Sequence, residues 1–517
     1  MLSEFTVRHP RAAPLAGVGP RDSRSIGPVS AKVTRRQALL LGAVGVGAVA
    51  AGAAGVVGSG LLDPRPGATV PPADDPTDGD VPATVWHEPP VLTSTGGVLE
   101  VDLRAAVAEV AVAGQTVRML SYNGSVPGPT LHLRPGDTLR IHLDNQISMP
   151  TNLHTHGLVV SAAGASDNPF LRIESGTTFD YEIVLPDDHP TGVFWYHPHH
   201  HGMVTDQLWA GLYGAIIVDE DDWADTPPRV VVVSDVDISG GAVVGVSHME
   251  QMRGRTGEYL LANGQLAPEL RSPAGADERL LMINACASRY LDVQLSGLEA
   301  RLRGVDSARH DEQSIDRLVI IPGSRADLVV RTPSAPHDLA VASYDRGDLG
   351  MGMMGGAVTS PAGVILRLVP DDTVPGVAVA PATAHAAVDL RDRAVDARRE
   401  VTLSMGPGAG MGFFIDGKTF DPDRVDQVVA LDTVEEWTLR NTSRMNHPFH
   451  LHIWPMQVID ADGQAVAGIE VRDVVDLPPN SSVTVRIAFK RFPGRTLYHC
   501  HILDHEDLGM MGVLEAS

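Results

Sequence analysis

The C-terminal end of the chain carries the densest group of potential metal ligands. Between Tyr498 and Met510 the sequence places one cysteine, three histidines and a methionine. A thiolate and two imidazoles in a trigonal plane, with a long and weak axial thioether, form a blue-copper site. Cys500, His505 and Met510 can supply three of these ligands, so the second imidazole must come from another part of the chain.

The two neighbours of Cys500 cannot easily bind the same metal. On an extended strand, successive side chains point to opposite faces. If Cys500 faces one copper, His499 and His501 therefore point away from it, together on the other face. The segment thus predicts two metal sites that are joined by a short covalent route through Cys500.

Histidines elsewhere in the chain are grouped in a similar way. A His-x-His pair on a strand places both rings on one face of the sheet. Such groups occur only within residues 154–199 and 447–505, which histidines that merely pack in a core would not explain. Imidazoles together with a thiolate are donors that suit copper. The chain has 21 histidines, and ten of them fall into four clusters: His154 and His156; His197 and His199; His447, His450 and His452; and His499, His501 and His505.

Short alternating strands separated by Gly/Pro turns surround these clusters, and their layout is repeated. One strand near Asp137–Leu143 leads to the first pair, and another within Val193–His201 carries the second. The last third repeats this order, and the middle third has similar strands, near Arg279–Asn284 and Pro322–Val330, without the histidines. Repeats of this length are ordinary domains, and short strands with regular turns predict antiparallel β-sandwiches. We therefore predict an all-β protein with domains at residues 91–225, 226–370 and 371–517.

Composition and charge exclude some classes of partner. The 517 residues carry a net charge of -24, whereas residues 1–60 carry seven Lys and Arg against two Asp and Glu. The rest of the chain is therefore strongly acidic. This argues against nucleic acid and anionic membranes as partners, and is compatible with a cationic substrate or with simple solubility. If Cys500 binds copper, Cys286 has no disulfide partner and is predicted to be a small buried apolar residue.

The N-terminal segment has the pattern of an export signal. Arg35 and Arg36 precede an uncharged apolar run that ends near Leu62, and a basic region before such a run is typical of a signal peptide. The paired arginines resemble the twin-arginine signal, although two usual residues of that motif are replaced. We predict export to the cell envelope, periplasm or exterior, with residues 1–62 as the signal and 63–90 as a Pro-rich linker. The alternative is that the segment is not cleaved and anchors the protein, because the apolar run approaches the length of a membrane span.

The four histidine clusters, with the His-Cys-His-x3-His-x4-Met signature that begins at His499, resemble those of the multicopper oxidases. This family includes laccases, ascorbate oxidase, bilirubin oxidase and bacterial cuprous oxidases. The resemblance covers nearly the whole chain after the linker, and it implies three cupredoxin domains, with four copper ions in the first and third. It also implies the ligands: His447, Cys500 and His505 with axial Met510 for the type 1 copper; His154 and His450 for type 2; His156, His197 and His501 for one type 3 copper; and His199, His452 and His499 for the other.

Two acidic residues resemble the proton donors of the family. Reduction of O2 to water consumes protons, and a carboxyl group near the metals can supply them if burial raises its pKa. Glu506 directly follows a predicted type 1 ligand and Asp167 follows the first histidine pair, so both are predicted catalytic residues. The histidines after the second pair, His200 and His201, are assigned no metal.

The signature does not identify the electron donor. Thioethers favour Cu(I), and Met445, two residues before a predicted type 1 ligand, resembles a substrate-copper methionine of bacterial cuprous oxidases. Met351 and Met353, with Asp348 beside them, could complete such a site. However, Ser443 stands where an acidic ligand is expected, and the alternative is that these methionines pack against the surface of the third domain.

Three hypotheses about function follow. The first is a copper-tolerance oxidase that oxidises Cu(I) and also phenols. The second is a laccase-like or bilirubin-oxidase-like enzyme for aromatic donors. The third is a non-enzymatic scaffold that has lost its metals, and the complete ligand set argues against it. We predict a monomer whose partners are the donor and O2.

Overall fold

The computed structural model describes most of the chain from residue 84 onwards. The predicted signal segment, nearly all of the linker, and Met351 and Met353 lie outside the described residues. No helix in the described part is both long and apolar enough to cross a membrane. The described residues are 84–219, 227–306, 308–350, 356–377, 379, 388–408 and 410–517, with 309–311, 407, 408, 410 and 411 described for their backbone only.

The first sandwich consists of strands whose side chains alternate between core and solvent. In the strand Thr138–Asn145, Leu139, Ile141 and Leu143 are buried while Arg140 is exposed, which is the period-two pattern of a sheet with one face in a core. The strands are β1 (Val91–Thr93), β2 (Val98–Val112), β3 (Gln115–Tyr122), β4 (Thr130–Leu133), β5 (Thr138–Asn145), β6 (His154–His156), β7 (Thr177–Val184), β8 (Gly192–His197) and β9 (Gly214–Val218), joined by β11 (Ile238–Ser239) and β12 (Ala242–Val243).

These strands form two sheets that share one apolar core. One sheet has the order β1-β4-β9-β8-β6, and the other has the order β11-β12-β3-β2-β5-β7. β2 and β5 pair in parallel, with Val98 opposite Thr138. The sheets are mixed rather than purely antiparallel, because the chain crosses to the other sheet at β4 before it returns beside β2.

The second sandwich repeats this arrangement, with sheet orders β13-β10-β15-β20-β17-β18 and β14-β24-β21-β16-β19, and a separate pair β22-β23. Its strands are β10 (Arg229–Val236), β13 (Tyr259–Ala262), β14 (Glu269–Ser272), β15 (Asp277–Asn284), β16 (Leu291–Gln294), β17 (Ala300–Val305), β18 (Ala308–Ser314), β19 (Arg317–Ile320), β20 (Arg325–Arg331), β21 (His337–Ala342), β22 (Tyr344–Asp348), β23 (Ala357–Ser360) and β24 (Gly363–Pro370).

The third sandwich has sheet orders β26-β25-β28-β33-β30-β31 and β27-β35-β34-β29-β32, packed around the fully buried Trp437. The predicted all-β class with three sandwiches is therefore confirmed. The strands are β25 (Ala397–Gly408), β26 (Gly410–Ile415), β27 (Gln427–Val429), β28 (Thr433–Asn441), β29 (His447–Leu451), β30 (Met456–Ala461), β31 (Gln464–Arg472), β32 (Val474–Leu477), β33 (Ser482–Phe489), β34 (Gly494–Cys500) and β35 (Met511–Ala516).

Each sandwich contributes one short helix to a common junction. α1 (Val204–Trp209) belongs to the first, α2 (His248–Arg253) to the second and α3 (Leu503–Asp507) to the third, and α3 packs against both of the others. Leu390–Asp392 forms a single 3-10 turn. Because α3 directly follows the Cys500 segment, this junction fixes the position of that segment relative to the other two domains.

Candidate metal centres

The first candidate centre lies within the third sandwich, where β29 and β34 are neighbours. His447 begins β29, Cys500 ends β34 and His505 lies in α3, and all three side chains are fully buried. The Sγ atom of Cys500 is 3.4 Å from Nδ1 of His447 and 3.9 Å from Nδ1 of His505, and these two nitrogens are 3.3 Å apart. One sulfur and two nitrogens thus converge on a point where a metal ion can bind.

Hydrogen bonds on the far side of each ring orient these two imidazoles. Nε2 of His447 donates to Oγ of Ser443 at 2.9 Å, and Nε2 of His505 donates to the backbone oxygen of Met252 at 3.3 Å. Each Nδ1 is therefore left with its lone pair towards the sulfur. Burial lowers the pKa of His447 to about 3 and that of His505 well below its usual value, so both rings are neutral, as metal binding requires.

The remaining groups of this centre are also buried. Burial raises the pKa of the Cys500 thiol, and a bound metal would displace its proton. Met510 is fully buried in the same apolar cluster, and its backbone oxygen accepts a hydrogen bond from the Cys500 N–H at 3.0 Å. Phe413 stacks on His505 with ring centroids 4.0 Å apart, which shields that ligand from solvent.

The second candidate centre lies between the first and third sandwiches. In the first, His154 on β6 is opposite His197 on β8, and in the third, His450 on β29 is opposite His499 on β34. The ligand atoms fall into groups that lie within 4.8 Å of one another: His154, His156 and His197; His154, His450 and His452; and His199, His452 and His499.

Contacts across the two sandwiches bring these groups together. Nε2 of His499 lies 3.1 Å from Nε2 of His199 and 3.1 Å from Nε2 of His452. The ring of His501 lies 5.0 Å from that of His156, centroid to centroid. His499 and His501 therefore reach the second centre while Cys500 between them lies in the first, which is the geometry expected from the alternation of side chains along a strand.

The chemistry of this histidine set fits metal ions. Nine buried nitrogens of the set have no hydrogen-bond partner among the described residues, and such atoms are costly unless something satisfies them. Burial lowers the pKa of every ring in the set, so each can offer a lone pair. Copper is well suited to imidazole ligands. The nitrogens are His154 Nε2, His156 Nδ1 and Nε2, His197 Nε2, His199 Nδ1, His450 Nε2, His452 Nδ1, and His501 Nδ1 and Nε2.

Two buried carboxyl groups face the second centre. Glu506 is fully buried, with Oε2 at 3.0 Å from Nδ1 of His499 and Oε1 at 3.5 Å from Nε2 of His199. Asp167 accepts from Nδ1 of His154 through both oxygens, at 3.1 and 3.0 Å, and from the Thr155 N–H at 2.8 Å. Burial raises the pKa of each carboxyl group to about 7. Because Asp167 accepts from Nδ1 of His154, it leaves Nε2 of that ring to face the centre.

Two residues beside this centre were not identified from the sequence. Oδ1 of Asp473 lies 3.5 Å from Nε2 of His156, and its carboxylate pairs with Arg325 of the second sandwich. Arg325 lies in the segment Pro322–Val330, for which the sequence predicts only a turn and a strand. Asp473 is a single acidic residue before a strand, which carries no local signal. Trp195, which stacks on His197 at 4.2 Å between centroids, is a third contact of the site.

The predicted donor residues have mixed surroundings. Met445 is fully buried in the core of the third sandwich. β22 lies against the segment before His447, where Gly347 bridges Met445, and Asp348 pairs with Arg444 at 2.8 Å.

His200, His201 and Cys286 are not among the predicted ligands, and each has contacts of its own. His200 contacts Arg172 at 3.1 Å, and the ring of His201 lies 4.6 Å from that of Phe420. Cys286 is buried as predicted, in the apolar core of the second sandwich.

Comparisons with known proteins agree with this architecture. Residues 105–222 and 393–517 match family models described as multicopper oxidase. The chain is similar to a multicopper oxidase of Staphylococcus aureus (26% identity, covering 78% of this chain and 85% of that protein). It is also similar to copper resistance protein A of Escherichia coli (22% identity, 81% and 93%).

Solved structures give the same picture. A Campylobacter jejuni multicopper oxidase, described as a metallo-oxidase, matches with a TM-score of 0.73 at 27% identity, over 84% of this chain and 95% of that one. A laccase from Pediococcus acidilactici matches in fold with a TM-score of 0.69 at 23% identity, over 88% and 95%. The three sandwiches are therefore cupredoxin-like.

Proposed function

Since the chain belongs to the multicopper oxidase family, and is thus a copper-dependent oxidoreductase that uses O2, we propose that it couples one-electron oxidation of Cu(I), and also of phenols, to four-electron reduction of O2 to water. Family membership argues against the hypothesis of a metal-free scaffold. The observation that carries the proposal is the position of Cys500, which lies in one centre while both of its neighbours lie in the other.

In this proposal one copper ion binds in the first centre and three bind in the second. His447, Cys500 and His505, together with the thioether of Met510, would hold the type 1 copper. Bound copper supplies the one-electron redox chemistry at both centres. The type 2 copper takes His154 and His450, one type 3 copper takes His156, His197 and His501, and the other takes His199, His452 and His499.

The protein's own groups have separate tasks in the reaction. Cys500 and its neighbours provide the covalent route between the centres, and neutral buried imidazoles leave their lone pairs free. Glu506, whose oxygens lie within 3.5 Å of two rings of the second centre, holds a proton at Oε for the reduction of O2. Asp167 orients His154 and is the second proposed proton donor.

Two observations bear on the donor. Relatives named as copper resistance protein and metallo-oxidase support Cu(I), and β22 brings Asp348 beside the segment that contains Met445. In contrast, Asp348 is already paired with Arg444, and the neutral Ser443 bonds the type 1 ligand His447, which favours an aromatic donor as the second candidate.

Steady-state O2 consumption by copper-loaded protein, with Cu(I) and with a bulky phenol, tests the proposal. Asp348→Asn should raise the Michaelis constant for Cu(I) and leave that for the phenol unchanged. Asp345→Asn, on the same strand, is the matched control and should behave as wild type with both donors. Oxidation of the phenol alone would establish the aromatic candidate instead, and absence of O2 consumption with either donor would contradict the proposed function.

A further inference from the structure

An arginine of the middle sandwich contacts both sandwiches that hold the histidine cluster. Arg325 begins β20, and its side chain is fully buried. Its Nε donates to the backbone oxygen of Val193 in the first sandwich at 2.8 Å. Its Nη1 and Nη2 donate to the two carboxylate oxygens of Asp473 in the third, at 2.5 and 2.7 Å. A single guanidinium thus connects all three domains.

Val193 and Asp473 are each linked to predicted copper ligands, although only Val193 lies on a strand that carries one. Val193 lies in β8, which ends at His197. Asp473 directly precedes β32, and its backbone oxygen accepts from Nδ1 of His450 at 2.8 Å. Its Oδ1 lies 3.5 Å from Nε2 of His156. Any displacement of Asp473 would therefore move His450 and change the surroundings of His156.

The backbone next to the cluster is shaped around this ion pair. Gly157, which directly follows His156, has a φ of +84°, and a Cβ atom there would lie 2.5 Å from Nη2 of Arg325 and 2.6 Å from Oδ2 of Asp473. The ion pair therefore packs directly on the backbone of the ligand strand. This is a second, independent contact between the pair and the histidine set.

We propose that Arg325 is a positioning residue, which holds the histidines of the first and third sandwiches at the spacing that the three-copper cluster requires. This inference rests on the proposed function. A guanidinium presents several N–H donors in one rigid plane, so it can serve the Val193 carbonyl and both oxygens of Asp473 at once. A lysine ammonium keeps the charge but cannot reproduce this fork.

The test is Arg325→Lys, which leaves a cation beside the buried Asp473. The blue absorption and reduction potential of the type 1 copper should remain as in wild type, while the total copper per chain falls from four towards one. Arg279→Lys is the matched control. Arg279 lies on the neighbouring strand and makes an equally forked pair with Asp327, at 3.1 and 2.9 Å; neither Asp327 nor its second acidic neighbour, Asp219, is a predicted ligand. It should keep all four copper ions.

A second variant changes Asp473, the acidic partner in the same ion pair. Asp473→Asn keeps the shape of the side chain and the backbone oxygen that His450 uses, and it should produce the same selective loss. If the two residues act through one contact, the double variant should lose no more copper than the worse single variant. Electron paramagnetic resonance should show the change in cluster copper without a change in the type 1 signal.

The contrary results are equally distinct. Arg325 would have only a general structural role if Arg325→Lys kept the wild-type copper content or lost blue and cluster copper equally. The same conclusion would follow if Arg279→Lys lost as much cluster copper as Arg325→Lys. If the wild-type protein bound the blue copper alone, the proposed function would fail together with this inference.

Discussion

At the scale of single residues, Ser443 orients the His447 ring at the first centre. Its Oγ lies 2.9 Å from Nε2 of His447 and donates onward to Oδ1 of Asn441 at 2.8 Å. Nε2 of His447 therefore carries the hydrogen, and Nδ1 faces the sulfur of Cys500. A hydrogen bond of this kind raises the basicity of a metal-bound imidazole and so stabilises the more highly charged metal.

Ser443→Ala should retain the blue copper and raise its reduction potential. The imidazole becomes a weaker donor without its acceptor, and the unpaired N–H lowers the free energy of unfolding by about 1–3 kcal/mol. A redox titration of the blue band measures the potential. Thr442→Ala, which removes a hydroxyl that donates to the Leu403 backbone oxygen at 3.3 Å, should leave the potential unaltered. Equal potentials in wild type and Ser443→Ala would show that this hydrogen bond does not tune the site.

Glu506 can be tested separately from the donor half of the reaction. Glu506→Gln keeps the shape of the side chain beside His499 and removes its transferable proton. Donor should still bleach the blue band at the wild-type rate, while O2 should restore the band more slowly, by about 10²-fold or more if the carboxyl group is the general acid. Stopped-flow absorption resolves the two phases. Slow bleaching with normal recovery would place Glu506 in donor binding.

At the scale of elements, the turn between β19 and β20 forms part of the wall of the second centre. The backbone oxygen of Gly323 accepts from Nε1 of Trp195 at 3.2 Å, and Trp195 stacks on His197. Gly323 has a φ of +84°, and a Cβ atom there would lie 2.6 Å from Nε2 of His501. The second sandwich, which supplies none of the predicted ligands, thus restricts the positions of His197 and His501.

Gly323→Ala should disturb the second centre and spare the first. The left-handed backbone costs any non-glycine residue about 1–2 kcal/mol, and the new methyl group must also displace the His501 ring. Gly297→Ala separates these effects, because Gly297 has a similar φ of +89° and open space, with the nearest atom at 3.9 Å. Both variants should melt at a lower temperature, but only Gly323→Ala should lose cluster copper. Full copper content in both would mean that the ring has room to move.

The elements also show which features could be predicted from the sequence. His154 and His156 share a face because they are two residues apart, and the neighbours of Cys500 leave its face for the same reason, so local rules were sufficient. The contact of Arg325 with Asp473 spans 148 residues and has no local signature. The position of Met445 in the sequence left a substrate ligand and a packing residue both open, because it cannot reveal that the side chain is fully buried.

At the scale of the whole molecule, polar contacts beside the first centre join α1 and α3 to the segment that follows α2. Arg255 of the second sandwich donates to Asp504 in α3, with Nη2 to Oδ1 at 2.7 Å, and to Asp206 in α1 at 2.8 Å. Asp507 of α3 accepts from the Thr205 N–H and hydroxyl at 2.8 and 2.7 Å. Together with those of Arg325, these contacts attach the middle sandwich to the other two near both centres.

Copper removal should reveal how much of this assembly depends on the metals. The second centre draws its histidines from two sandwiches, as at His199 and His499, so copper bound there would cross-link domains, whereas the proposed type 1 ligands all lie in the third. A site whose free ligand is a thousand times its Kd stabilises the folded state by about 4.1 kcal/mol. Cys500→Ser, which should remove only the proposed type 1 copper, should therefore lower the melting temperature by the contribution of that one site.

Complete removal with a chelator should lower the melting temperature much further and divide the calorimetric transition, because the first and third sandwiches lose their shared ligands. Reloading with copper should restore a single transition, which controls for damage during treatment. Equal melting temperatures for Cys500→Ser and the fully copper-free protein would show that protein contacts alone, such as those of Arg255 and Arg325, hold the domains together.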